Sequence, residues 1–250
     1  MLACDGSAVS LGIGESAERV CCPAGPVGYA IGMTMPAAGV QAIAVALTGA
    51  LDQDGFPAAE EWQAALPVAF DADWQGQNAD PLRETEVRLL WSRETLFLRF
   101  RCRYRELTTF SDGQPDGRRY GLWERDVAEV FLQPDASDPR RYWEFEISPS
   151  GLWIDLDIAL GEKAPGHQGN PHSGMKSRVH VAAAEKTWTA EIALPMRSLA
   201  PLFDPRAVWR VNFFRVEGAA EPRFYSCWRP TNSPQPNFHV PEAFGKLSFR

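Results

Sequence analysis

The sequence predicts an all-β protein: an antiparallel two-sheet β-sandwich of the immunoglobulin or jelly-roll kind, with few short helices. Many short segments alternate apolar and polar residues, which is typical of strands with one buried face. No helical pattern runs beyond about two turns, so the crossover helices of a parallel sheet are missing. No internal repeat with a period of about 20 to 50 residues is present, so a solenoid or propeller is not expected.

Length and charge narrow the organisation further. The chain has 250 residues and a net charge of −7. We predict a poorly ordered N-terminal extension over residues 1–38, rich in small residues, and one β-sandwich over residues 39–250. The charges are scattered and there is no basic stripe, so nucleic acid is not an expected partner. No apolar run reaches the roughly 18 residues of a membrane-spanning helix, so no membrane partner is expected either.

The first half of the predicted sandwich contains four strands and one helical turn. The strands are expected at residues 42–47, 68–70, 86–91 and 95–105, and a turn over 60–66 holds Trp62 against the core. The fourth strand alternates apolar residues with Arg99, Arg101, Arg103 and Arg105. Because like charges on one strand face repel each other, these arginines are expected to have acidic neighbours.

The second half contains eight further predicted strands. They are expected at residues 127–132, 141–148, 152–158, 176–183, 187–194, 208–216, 223–228 and 245–249. Breaker residues predict loops over 111–118 and 161–174, and four prolines mark a stiff loop over 229–242. A short helix or turn is expected over 195–203.

The stretch from Trp123 to Leu132 combines a loop tryptophan with a strand that carries a carboxylate. Alternation places Glu129 on the same strand face as Val127 and Phe131. A flat ring beside a carboxylate suits a pyranose, which offers an apolar C–H face and hydroxyl donors. The alternative is that Trp123 is a lid on the core.

Several more carboxylates lie on predicted strand faces, namely Glu144, Glu146, Asp155 and Asp157. Glu129 with Glu144 or Glu146 could act as the acid and base of a glycoside hydrolase. The alternative is that these carboxylates form salt bridges with Arg99, Arg101 and Arg103. Nucleophile elbows, phosphate loops and dinucleotide fingerprints are missing from the sequence, so no catalytic residue is assigned.

Two loops carry other candidate groups. Asp112 and Asp116 could contribute oxygen ligands to calcium, although their spacing is not that of an EF-hand. In the proline-rich loop, Phe238 and His239 offer a ring and a hydrogen-bonding group together. The alternative is that Phe238 closes the end of the sandwich.

Taken in order, these segments resemble the carbohydrate-binding module family 9-like domains, over about residues 41–250. The landmarks are Trp62, Thr85–Trp91, Trp123-x-x-Asp126-x-x-Glu129, Tyr142-x-Glu144-Phe145-Glu146, Trp188-x-Ala190-Glu191-Ile192, Trp228-x-Pro230-Thr231 and Phe238-His239-x-Pro241-Glu242-x-Phe244-Gly245. Each landmark alone is weak, whereas the ordered set is specific.

The resemblance implies a non-catalytic sandwich that binds a mono- or oligosaccharide end between two aromatic rings. Carried over by motif, Trp123 is one ring and Glu129 a hydroxyl acceptor. Phe238 stands where characterised binders have the second ring as tryptophan, and Asn232 or Asn237 is the amide partner. Glu144 and His239 complete the expected ligand-binding residues.

The resemblance also bears on cofactors and location. No cofactor is required, although some family members hold structural calcium. Family members usually accompany secreted enzymes, which suggests an extracytoplasmic location, yet the sequence begins without the basic and apolar regions of a standard signal peptide. A haem- or partner-binding sandwich of related topology remains an alternative function.

Overall fold

The computed structural model describes residues 41–114, 117–159 and 173–250. Within these ranges the protein is nearly all-β, as predicted, and its one α-helix spans only Met196–Leu199. None of the helices in the described ranges has the length and apolarity needed to cross a membrane. The predicted extension over residues 1–38 lies outside the described residues, as does Asp116.

Twelve strands are described, at the places where the alternating segments predict them. They are β1 Gln41–Ala46, β2 Val68–Phe70, β3 Thr85–Trp91, β4 Thr95–Arg103, β5 Val127–Gln133, β6 Arg141–Ile147, β7 Trp153–Ala159, β8 Lys176–Ala182, β9 Thr187–Pro195, β10 Trp209–Glu217, β11 Phe224–Cys227 and β12 Gly245–Phe249. Short 3₁₀ turns span Glu61–Gln63, Pro81–Arg83, Leu122–Glu124 and Pro241–Ala243.

The strands form one continuous hydrogen-bonded path in the order β7-β6-β5-β10-β12-β1-β3-β4-β9-β8, with β2 added to β3 and β11 to β10. The prediction of antiparallel pairing throughout is wrong at β1, which runs parallel to both β12 and β3. The predicted division into two sheets is not visible in this hydrogen-bonded path, which is continuous. Alternation along a strand is the same in parallel and antiparallel ladders, so the sequence pattern could not reveal either feature.

The main core lies inside the curl of this path. Strands near its opposite ends contribute to one apolar cluster, with Ile147 from β6 and Ile192 from β9 both fully buried. The rings of Phe100 in β4 and Phe213 in β10 are 6.1 Å apart, centroid to centroid. The sheet therefore folds back so that its two halves face each other across the core.

The buried side chain of Arg215 lies inside this core together with two carboxylates, Glu217 and Asp126. Arg215 is 0% exposed, and its Nη2 lies 3.4 Å from Glu217 Oε2 while its Nη1 lies 3.8 Å from Asp126 Oδ1. Asp126 also accepts hydrogen bonds from the backbone N–H groups of Thr108 and Gly218. Burial raises the pKa of Asp126. These bonds hold the start of β5 against β10 and the loops beside it.

Two of the four arginines, one in β4 and one just after it, have acidic partners, but not the predicted ones. Arg99 forms a 2.5 Å salt bridge with Glu191, whose other oxygen lies 2.5 Å from Arg178, and Arg105 binds Asp80 at 2.9 Å. The interpretation that these arginines pair with carboxylates of β5 to β7 is wrong. Arg99 points away from the main core toward Trp62 and Glu191, whereas Glu129 and Glu144 point away from it on the other half of the sheet, so the core separates the two groups.

A second apolar cluster covers the opposite face of β5, β6, β7 and β10. It includes Phe131, Tyr142, Leu156 and Phe214, all at most 2% exposed. Residues from the loop before β5 and from the loop after β11 pack on it. This covered face holds the candidate site.

Replacing Trp62 with alanine should lower the free energy of unfolding by about 3–5 kcal/mol. The indole is 2% exposed and packs with Phe56 and Leu90, and the Arg99 guanidinium lies 4.4 Å from its centroid. Urea denaturation measures the loss. Leu66 is a matched control in the same segment because it is 51% exposed, so Leu66→Ala should change stability by less than about 0.5 kcal/mol. Equal losses in both variants would contradict the predicted role of the Trp62 turn.

Candidate functional site

A pocket of about 190 Å³ opens on the second face of the sheet. Its lining comprises Trp123, Glu129, Phe131, Glu144, Leu156, Val216, Tyr225, Pro236, Asn237, Phe238 and His239. Six of the seven predicted ligand-binding residues are in this list. The seventh, Asn232, is exposed in the proline-rich loop, where its backbone N–H donates to the carbonyl of Trp74 at 3.2 Å.

The Trp123 wall is held by the turn before β5. Gly121 precedes this turn at φ +74°, a backbone conformation that favours glycine, and Leu122 anchors the turn with a fully buried side chain. The Trp123 carbonyl accepts a 2.8 Å hydrogen bond from Arg223, and the indole meets Tyr120 edge-on at 5.0 Å. Trp123 is partly buried: it packs against the second apolar cluster and also lines the pocket.

The opposite wall comes from the proline-rich loop. The Phe238 ring stacks on Phe214 at a centroid distance of 4.3 Å and is 9% exposed, so one ring face is covered. Tyr225 meets Phe238 edge-on at 6.1 Å and also lines the pocket. Sequence reasoning missed Tyr225, although it lies in the predicted strand over 223–228, because no motif distinguishes it from a core tyrosine.

Three glutamates lie together on this face. The β5–β6 register places Glu129 directly opposite Glu146, and Glu144 opposite Phe131. One carboxylate oxygen from each glutamate lies within 4.8 Å of the other two. All three side chains are buried, with at most 3% exposure. Strand pairing thus brings three like charges together: Glu129 and Glu144 form the floor of the pocket, and Glu146 lies fully enclosed beside them.

Within the described residues, this carboxylate cluster lacks the hydrogen bonds that buried carboxylates need. Glu129 Oε1, Glu144 Oε2 and both oxygens of Glu146 have no donor among the described residues other than a protonated carboxyl of the cluster itself, which can bridge Glu144 and Glu146. His239 Nδ1 lies 4.0 Å from Glu144 Oε2, but the same nitrogen is 2.7 Å from the Tyr142 hydroxyl. Burial, and next the neighbouring carboxylates, raise the pKa values of Glu129 and Glu146 well above the ordinary range.

Each of the other buried carboxylates among the described residues has a partner. Asp126 and Glu217 lie beside Arg215, Asp155 binds Arg118, Glu191 binds two arginines, and Asp73 accepts from two backbone N–H groups and from Asn78. The cluster of Glu129, Glu144 and Glu146 is therefore an exception to the way this protein treats buried acids.

Among the described residues, the oxygens of these same three carboxylates lie close enough together to surround a cation. Calcium was predicted in the loop that contains Asp112 and Asp116. Asp112 is already bound to Arg119 at 2.7 Å, and this bond lowers the pKa of Asp112. Structural calcium therefore remains a prediction.

Comparison with known proteins gives relatives in sequence and in fold. No known family profile matches the chain. A protein of Arthroderma benhamiae described as "Extracellular protein" is 27% identical over 201 residues, covering 75% of this chain and 86% of its own length. The rat UPF0462 protein C4orf33 homolog is 26% identical over 143 residues, covering 55% of this chain and 65% of its own length.

Solved structures of sugar-binding proteins share the fold. A candidate carbohydrate-binding protein from Bacteroides uniformis superposes with a TM-score of 0.67 at 18% identity, covering 84% of this chain and 99% of its own. A carbohydrate-binding module family 9 domain from Caldicellulosiruptor kristjanssonii, in complex with cellotriose, gives 0.60 at 11% identity, covering 84% and 93%. Its glucose complex gives 0.58 at 10% identity, covering 84% and 95%. The resemblance to family 9 domains is thus confirmed at the level of the fold.

Replacing Glu146 with glutamine should stabilise the protein at neutral to mildly alkaline pH by about 1–3 kcal/mol. A raised folded-state pKa means that the folded protein holds more protons, so Glu146 destabilises the fold increasingly as the pH rises above its ordinary range. The gain should vanish below about pH 4, where the carboxyl is protonated in both states.

Thermal unfolding across this pH range tests the expectation. Glu185→Gln is the matched control, because Glu185 is exposed in the β8–β9 turn and its loss should leave stability unchanged. A Glu146→Gln variant less stable than wild type at alkaline pH would contradict the assignment of a buried, uncompensated carboxylate.

Proposed function

We propose that this protein is a non-catalytic sugar-binding domain that holds a monosaccharide, or the end of an oligosaccharide, in the pocket beside Trp123. One observation carries the proposal: aromatic walls and unpartnered carboxylate oxygens line the same pocket. The fold shared with domains in complex with cellotriose and glucose supports it.

The chemistry of the pocket suits a sugar on both sides. The rings of Trp123 and Tyr225 can pack against the apolar C–H face of a pyranose. Sugar hydroxyls can donate to Glu129 Oε1 and Glu144 Oε2, two buried oxygens without a hydrogen-bond partner among the described residues. A buried acceptor without a donor costs about 1–3 kcal/mol, so a hydroxyl that supplies the missing bond is worth more here than at an exposed site.

Within this proposal Trp123 is the main ring platform. Phe238 contributes a wall rather than a free ring face, because Phe214 covers one of its sides. Asn237 and His239 lie at the rim, where the Asn237 Oδ1 accepts from the backbone N–H of His239 at 3.0 Å. This bond leaves the Asn237 amide to serve as a donor toward a bound hydroxyl.

Binding without catalysis suits the site better than glycoside hydrolysis. A retaining hydrolase needs carboxyl groups about 5–5.5 Å apart and an inverting one about 6.5–9.5 Å. Here one oxygen from each of Glu129, Glu144 and Glu146 lies within 4.8 Å of the other two, and all three side chains are at most 3% exposed. The three acids extend from one face of two neighbouring strands, so they would meet a bound sugar from one side rather than flank its glycosidic bond.

Calorimetric titration with glucose, cellobiose and their reducing-end-blocked methyl glycosides should detect binding between about 1 mM and 1 μM. Trp123→Ala should weaken that binding at least about tenfold, or about 1.4 kcal/mol, because it removes the ring platform.

Trp143→Ala is the matched control for this titration. Trp143 lies on the other face of β6, where it stacks on Phe145 at 5.8 Å, so its loss should leave sugar affinity unchanged in a folded variant. If a broad panel of neutral and charged sugars gives no heat with folded wild-type protein, the proposed function is wrong.

A further inference from the structure

The geometry points to a sugar with a primary amine as the preferred ligand of this pocket: an amino sugar whose ammonium group lies among Glu129, Glu144 and Glu146. This inference rests on the proposed function and names its ligand class. It derives from the position, burial and missing partners of three carboxylates, rather than from the walls that any sugar would use.

The charge balance of the protein favours a cationic ligand. Elsewhere the fold neutralises or hydrogen-bonds each buried carboxylate of the described chain, as Arg215 does for Asp126 and Glu217. At the pocket floor the corresponding cation is missing from the described residues. Arg223, whose charge lowers the pKa of Glu129, is itself bound to Glu221 at 3.0 Å. A neutral sugar would supply donors to the floor but no charge.

The spacing of the oxygens matches an ammonium group. Three points within 4.8 Å of one another all lie within about 2.8 Å of a common centre, and charge-assisted N–H···O bonds are about 2.7–2.9 Å long. An ammonium nitrogen carries three N–H donors, so Glu129, Glu144 and Glu146 can each accept one. A hydroxyl has one donor and would leave two of the three acids unpaired.

The walls favour an organic cation over a bare metal ion. Calcium takes six to eight oxygen ligands, often including water and backbone carbonyls. Above the carboxylates, the pocket is lined by Phe131, Leu156, Val216 and Tyr225, whose side chains offer mainly carbon surface. Such walls suit a ring that carries its own C–H surface next to the amine.

The experiment compares amines with their neutral analogues at neutral pH. Acid would protonate Glu129 and Glu146, whose pKa values are raised, and would remove the charge that attracts an ammonium group. Glucosamine and 6-amino-6-deoxyglucose are titrated beside glucose and N-acetylglucosamine, with calcium chloride alone as a fifth probe. At least one amine should bind at least about tenfold more tightly than both neutral sugars, which is about 1.4 kcal/mol. Glu144→Gln should bring the ratio of amine to glucose affinity close to one, while the exposed control Glu185→Gln should keep it.

The outcomes separate this inference from the proposed function. Neutral sugars that bind as tightly as both amines would overturn the inference and leave the sugar-binding domain intact. Calcium that occupies the site and blocks the amines would also overturn it. If neither amines nor neutral sugars bind, both proposals fail together. Thermal unfolding of Glu144→Gln confirms that the variant is folded, so a lost preference reports on the site.

Discussion

The direct pairing of Glu129 with Glu146 across β5 and β6 is the constraint on which the rest of the site depends. Like charges opposite each other in a sheet destabilise it, and these two are also buried. The surrounding structure must therefore supply the stability that this pair removes. Apolar packing on both faces of β5 does so. The fully enclosed Arg215 also joins β10 to Asp126 at the start of β5. Such a cost is typical of residues kept for binding rather than for folding.

The pocket walls are tied to that floor by contacts between distant parts of the chain. Arg223 joins the loop after β10 to the Trp123 turn, and Tyr142 on β6 holds His239 in the proline-rich loop. Stacking of Phe238 on Phe214 fixes the same loop against β10. Because each wall is anchored to a strand that carries or neighbours the carboxylates, the rings and acids keep one relative geometry. A site of this kind loses little entropy when a ligand enters it.

Much of the fold could be predicted from alternation, since each expected strand occurs close to its predicted place, and the turn holding Trp62 is confirmed. The strand path could not be predicted, because the pattern that buries Ala42 and Ala44 is the same in either strand direction. Ring and acid types drew attention to Trp123, Glu129 and Glu144, which the structure brings to one pocket. The partners of the arginines were predicted wrongly because charge matching ignores which side of the folded sheet each group faces. Glu146 was recognised as a strand-face acid, but its register against Glu129 depends on a pairing that no local pattern encodes.

The parallel placement of β1 has a consequence for how the protein assembles. β1 is bonded on one side by β3 and on the other by β12, and Gln41 donates to Ser248 across a separation of 207 residues. During synthesis β1 leaves the ribosome long before β12. One edge of β1 is therefore unpaired while the intervening strands are made. Contacts of such long range form slowly because a large loop must close first. Unpaired strand edges are also where copies of a chain join wrongly. Completion of β12 is therefore the step that seals the sheet, and the nascent chain is most exposed to misassembly just before it.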